Sequence, residues 1–212
     1  VTTSTPSGHP GSETVHRAAA DGADLIVVGA GNHRWLERVL LGSVSTRVLH
    51  TADTSVMVVH APPASLAPAQ ILLAVDGSHG ATTARRAILA LLDPSAVRVT
   101  VEAVAAYAFP SFTGPGVGYA TGGFTPAIEA ELTAEAEREA TTAAAWLRDA
   151  GFDASAVWEM GPAAATLLTR AAAMPAALVV VGSRGLGPVD RAVLGSVSDE
   201  LARQAGATLV AR

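Results

Sequence analysis

The residues best placed for chemistry lie in one stretch, VGSRGLGPVDRAVLGSVS at 181–198. It sets Gly182, Gly185 and Gly187 in a loop and then puts Gly195, Ser196 and Ser198 at the mouth of a following helix. Glycines let the backbone come close to a ligand, and free amides at a helix amino terminus attract phosphate. The expected chemistry is therefore anion binding by amides and hydroxyls. A Walker-type loop is excluded, because it needs a lysine to reach the outer phosphates and all 14 basic residues are arginine.

Other chemistries find little support. The six histidines, at 9, 16, 33, 50, 60 and 79, include no pair four residues apart and have no carboxylate cluster nearby, so no metal site is expected. The absence of cysteine removes disulfides, thiolate chemistry and cysteine-based zinc sites. No nucleophile, base and acid stand in a catalytic pattern, and no serine occupies a Gly-x-Ser-x-Gly elbow. The expectation is a binding protein rather than an enzyme, with slow hydrolysis of the bound ligand as the most it would catalyse.

The elements that must carry this loop follow from hydrophobic runs and turn signals. ILLAVDG at 71–77 reads as a buried strand closing in the Asp76-Gly77 turn, and 81–92 as a helix. Strands are then expected at 97–104, 153–159, 177–182 and 207–211, with helices at 126–150, 163–173 and 196–205. Thr125 would cap the long helix, with Pro126 in its first turn and Gly151 just past its end. Near-continuous apolar strands alternating with helices imply a doubly wound, open, parallel five-stranded α/β sheet of Rossmann-like type. Ligands on such sheets bind beyond the carboxyl ends of the strands, which is where the glycine loop falls.

The chain also repeats itself. Moving Gly8 onto Gly161, a shift of 153 residues, lays LIVVG ending at Gly29 on LVVVG ending at Gly182, and LGSVS at 41–45 on LGSVS at 194–198. Residues 1–60 thus correspond to the carboxyl-terminal half of a second copy, 61–69 form a proline-rich linker, and 70–212 form the complete copy. In the half copy Asn32 stands in the place of Gly185. Asparagine tolerates left-handed backbone, so the loop shape can persist, but no counterpart of Asp76 is present.

The spacing Gly182, two residues, Gly185, nine residues, Gly195-Ser196 resembles the ATP-binding signature of the universal stress protein family. The likeness extends to AVDGS after the first strand, VEAVA at the end of the second and the closing LGSVSDELARQAGATLVAR. This resemblance implies a fold of the adenine nucleotide α-hydrolase type. It implies that Asp76 and Val104 frame the adenine and ribose of ATP, while Gly182, Gly185, Gly195, Ser196 and Ser198 hold its phosphates, with Mg2+ accompanying them. An aspartate there also serves simply to start an Asp-Gly turn. Arg184 could touch a phosphate or be merely solvated. The implied role is an ATP-binding stress-response regulatory module acting through nucleotide-dependent conformation and dimerisation; the alternative is a dimerising scaffold of the same family without nucleotide.

The resemblance further implies that the last strand lies at a sheet edge and pairs with its equivalent, either in a homodimer or within the chain, where 54–59 would meet 207–211. The strand at 24–29 would then keep one edge unpaired. Residues 106–125 form a long aromatic-rich connection that could cover a nucleotide, meet a partner or simply connect. A net charge of −5 without basic runs argues against nucleic acid and anionic membrane as partners. No apolar run reaches transmembrane length and the first residues are unlike a signal peptide, so the expected location is cytoplasmic.

Overall fold

The computed structural model describes residues 1–31, 41–60, 70–97, 99–108, 126–174, 177–185 and 194–212. In chain order the elements are α1 (Pro10–Ala20), β1 (Leu25–Gly29), α2 (Ser43–Thr51), β2 (Ser55–Val59), β3 (Gln70–Val75), α3 (His79–Leu91) and β4 (Thr100–Tyr107). They continue with α4 (Pro126–Asp149), β5 (Asp153–Met160), α5 (Ala163–Ala173), β6 (Leu178–Gly182), α6 (Ser196–Gln204) and β7 (Ala207–Ala211). Local chemistry explains the boundaries. Proline opens α1, the Ser78 hydroxyl caps α3 by accepting the Ala81 N–H at 3.1 Å, and Gly22 (φ 64°) and Gly151 (φ 96°) turn the chain after α1 and α4.

The strands form one seven-stranded sheet in the order β1-β2-β7-β6-β3-β4-β5. The five strands of 70–212 are all parallel, as are β1 and β2. The two parallel sets join through one antiparallel pair, β2 with β7, in which Val56 faces Val210 and Met57 faces Leu209. The segments that the repeat makes equivalent are thus hydrogen-bonded to each other, and β7 has both edges filled. The sheet as a whole is therefore mixed, where the expectation for the complete copy alone was parallel.

Alternation of side chains sends one set to each face. Ile71, Leu73, Val101 and Leu209 join Ala84 and Ile88 of α3 and Leu147 of α4 in one core. Leu72, Val104, Val179 and Val210 join Leu167 of α5, Leu201 of α6 and Val48 and Leu49 of α2 in the other. The second core runs unbroken across the β2–β7 junction. Each fully buried leucine in these layers contributes about 1.5–3 kcal/mol relative to exposure.

One strand differs from expectation. The segment expected at 97–104 is strand at 100–107, because the Asp93-Pro94-Ser95 turn captures the preceding residues. Asp93 accepts the Ser95 N–H at 2.8 Å through its side chain and the Val97 N–H at 3.1 Å through its carbonyl. At the other end β4 continues through Tyr107, since Ala106 and Tyr107 find partners in Glu159 and Met160. Residues 106 and 107 therefore belong to the sheet rather than to the long connection. Asn32, the linker 61–69, Thr125, Gly187 and the connection from 109 to 125 lie outside the described residues.

Candidate functional site

From β3 the chain builds outward through β4 to β5, then returns across to β6 and β7 on the other side of β3. The strand order therefore reverses between β3 and β6, and the carboxyl ends diverge there to leave a crevice. A cavity of about 300 Å³ occupies that place. Its lining includes Asp76, Val104, Gly182, Gly185, Gly195, Ser196 and Ser198, so all seven residues singled out in the sequence come together around one space. Arg184 lies on it as well.

The walls are apolar and the loop end is polar. Val104 and Val181 from the sheet and Ala163 and Leu167 from α5 form the apolar walls. The contribution of α5 was not evident in the sequence; its only signal is an amphipathic spacing that any packed helix shows. At the other end, α6 starts at Gly195, which has extended backbone (φ −67°, ψ 148°) and no side-chain cap. Its first amides, at Ser196, Val197 and Ser198, therefore have no partner within the helix and point a partial positive charge outward. The described residues on either side of the preceding loop are tied together. Gly195 donates its N–H to the Ser183 carbonyl at 2.8 Å, and the buried Ser198 hydroxyl lies 3.2 Å from that same carbonyl.

Three glycines are required by close approach rather than by flexibility. A Cβ on Gly185 would come to 2.5 Å from Oδ2 of Asp76, whose Oδ1 accepts the Ser78 N–H at 3.0 Å. A Cβ on Gly182 would collide with the backbone of Gly80 in the first turn of α3. Gly80 is the residue the sequence reading missed, and a Cβ there would collide with the Arg184 carbonyl. The available signal was a poor helix former placed inside a helix start, where a close packing partner is the usual reason.

The half copy keeps the glycine contact at the helix start, while its serine bonds the carbonyl one residue earlier than Ser198 does. Gly42 starts α2 with φ −60° and ψ 155°, donates its N–H to the Ala30 carbonyl at 2.8 Å, and Ser45 bonds the Gly29 carbonyl at 2.6 Å. Beside β1, however, stands only β2, so among the described residues nothing fills the places that Asp76 and Val104 take beside β6.

Comparison with known proteins agrees with this geometry. Over 55 residues, 26% of the chain, it is 47% identical to the universal stress protein MJ0531 of Methanocaldococcus jannaschii and 44% identical to the universal stress protein Slr1101 of Synechocystis. These matches span 32% and 51% of the two relatives' own lengths. A universal stress protein from Archaeoglobus fulgidus superposes over 100% of this chain and 70% of its own, with a TM-score of 0.67 at 19% identity, a likeness of fold. The description of the universal stress protein family matches residues 1–60 and again 69–211. With its matches covering both segments, and so nearly the whole chain, the chain belongs to the universal stress protein family.

Proposed function

We propose that residues 70–212 bind ATP, with a divalent ion such as Mg2+ carried on its phosphates, and that the protein is a stress-response regulatory module whose conformation and assembly follow nucleotide occupancy. The observation that carries this reading is the cavity at the strand-order reversal, where apolar walls, a carboxylate and an uncapped helix start share one space. Val104 and Leu167 would sandwich the base, Asp76 would accept from a ribose hydroxyl or the adenine amine, and the backbone of Gly182 and Gly185 with the amides of Ser196 to Ser198 would take the phosphates. The residues present fit the group, since a Cβ at 185 would fill the cradle. Nucleotide supplies negative charge at the start of α6, and binding would favour whichever conformation presents those amides to it.

We place the protein among binding modules rather than enzymes. Among the described residues lining the cavity, Asp76 is the sole carboxylate, and no histidine stands beside it to act as a base. Assembly through the last strand is already met within the chain, because β2 occupies the β7 edge that another chain would use. That pairing also favours the alternative of a scaffold without nucleotide, and one measurement separates the two. Isothermal titration with ATP and magnesium should give one nucleotide per chain. Gly185→Asp should abolish binding, and Asp76→Ala should weaken it with the fold intact. A folded wild-type protein that takes up no ATP would leave the scaffold reading.

A further inference from the structure

The antiparallel join of β2 to β7 brings the end of α2 to the start of α6, and so to the phosphate end of the cavity. Three hydrogen bonds cross this boundary at that place. His50, in the last turn of α2, lies 3.2 Å through Nε2 from Oδ1 of Asp199. Arg212, just past β7, donates from Nη2 to the Leu49 carbonyl at 2.5 Å and from its backbone N–H to the Ser55 hydroxyl at 3.2 Å.

Asp199 and Arg212 both bear on an anion in the cavity. Asp199 follows Ser198 directly, so its charge stands within the first turn whose amides face the cavity. There it competes with any phosphate for the same positive end of the helix. Arg203 neutralises part of that charge from within α6, at 2.8 and 3.1 Å, and His50 adds a partner from residues 1–60. Arg212 stands beside the loop because Ser183 donates its N–H to the Ala211 carbonyl at 2.9 Å. Its Nε is buried without a hydrogen-bond partner. Burial first, and then the positive charge of Arg184 on the cavity wall, hold its guanidinium below the ordinary arginine range, with Asp53 opposing. Arg184 lies on the cavity lining, so Arg212 is coupled by charge to a residue of the cavity wall.

We propose that residues 1–60 are a docked effector of the cavity: through His50 on Asp199 and the Leu49 carbonyl on Arg212, docking of α2 and β2 raises affinity for a polyphosphate, and polyphosphate tightens that docking. The proposal rests on the nucleotide reading above. Coupling of this kind is reciprocal, so affinity and docking must change by the same factor.

The test uses the full chain with ATP·Mg and with adenosine, which offers the same base and sugar without phosphate, each at an occupancy fixed by titration. ATP should slow amide exchange at 55–59 and 207–211 by at least about fivefold, the lower range of couplings between sites, and adenosine should not. In the double variant His50→Ala, Arg212→Gln, ATP affinity should fall by at least about fivefold with adenosine affinity unchanged. If that variant fails to fold, the wild-type exchange comparison decides alone. Equal protection by ATP and adenosine, or bound ATP with unchanged exchange, overturns the coupling and leaves nucleotide binding standing. No ATP bound to folded wild type removes both.

Discussion

Gly182 and Gly29 end equivalent strands, LVVVG and LIVVG, and the structure gives them opposite surroundings. A Cβ on Gly182 would drive into the Gly80 backbone, which cannot rotate away, whereas a Cβ on Gly29 would meet nothing within 4 Å. Overpacking of a filled site costs about 1–3 kcal/mol, and rigid backbone on the far side puts Gly182→Ala at the upper end, about 2–3 kcal/mol. At Gly29 the added methyl restricts the unfolded chain without a clash, a gain of at most about 0.4–1 kcal/mol. For a chain of this size each kcal/mol moves the melting temperature by about 2–4 °C. Gly182→Ala should therefore lower it by about 4–12 °C, while Gly29→Ala leaves it unchanged or raises it slightly. Thermal melts of both variants by circular dichroism, without nucleotide, make the comparison. Equal melting temperatures would refute the reasoning, because the two substitutions differ in sequence context hardly at all and in tertiary crowding completely.

Two further outcomes follow from charge and pairing. Burial would raise the Asp199 carboxyl, but the Arg203 hydrogen bond and charge, with His50, outweigh it and hold it below the usual 3.8. A depressed carboxylate contributes stability above its unfolded value and loses it as pH falls through the folded one. Asp199→Asn should thus cost about 1 kcal/mol at pH 7, and its deficit in urea melts should shrink as pH drops from 5 to 3; a deficit constant with pH counts against the ion pair. In amide exchange, β1 has a partner on one side only while β6 lies between β7 and β3, so amides of 25–29 should exchange at least about tenfold faster than those of 178–182. Equal protection would mean that the outer edge of β1 is covered in solution.

Repetition, glycine spacing and alternation of apolar runs with helices are properties of the chain itself, and they were enough to predict strand and helix identity and the glycine and serine side of the cavity, whereas Asp76 and Val104 were reached only through the family resemblance. What the chain itself predicted rests on local physics: glycine where backbones must touch, an uncapped helix start, an apolar run of strand length. The misplacement of β4 by three residues shows where local physics stops, since its start depends on the Asp93 turn and its end on how far β5 supplies partners. Burial is the clearest case. Val27 and Val180 occupy the same position of nearly identical strands, yet one is 58% exposed and the other 0%. Nothing in the pentapeptides separates them. Val180 is enclosed because β3 and β7 flank its strand and α3 covers it; Val27 stands on an edge strand, on the face opposite the core that α1 and α2 cover. The meeting of His50 with Asp199 and of Arg212 with Leu49, each pair more than a hundred residues apart, likewise exists only because one antiparallel join turns two parallel units into a single sheet.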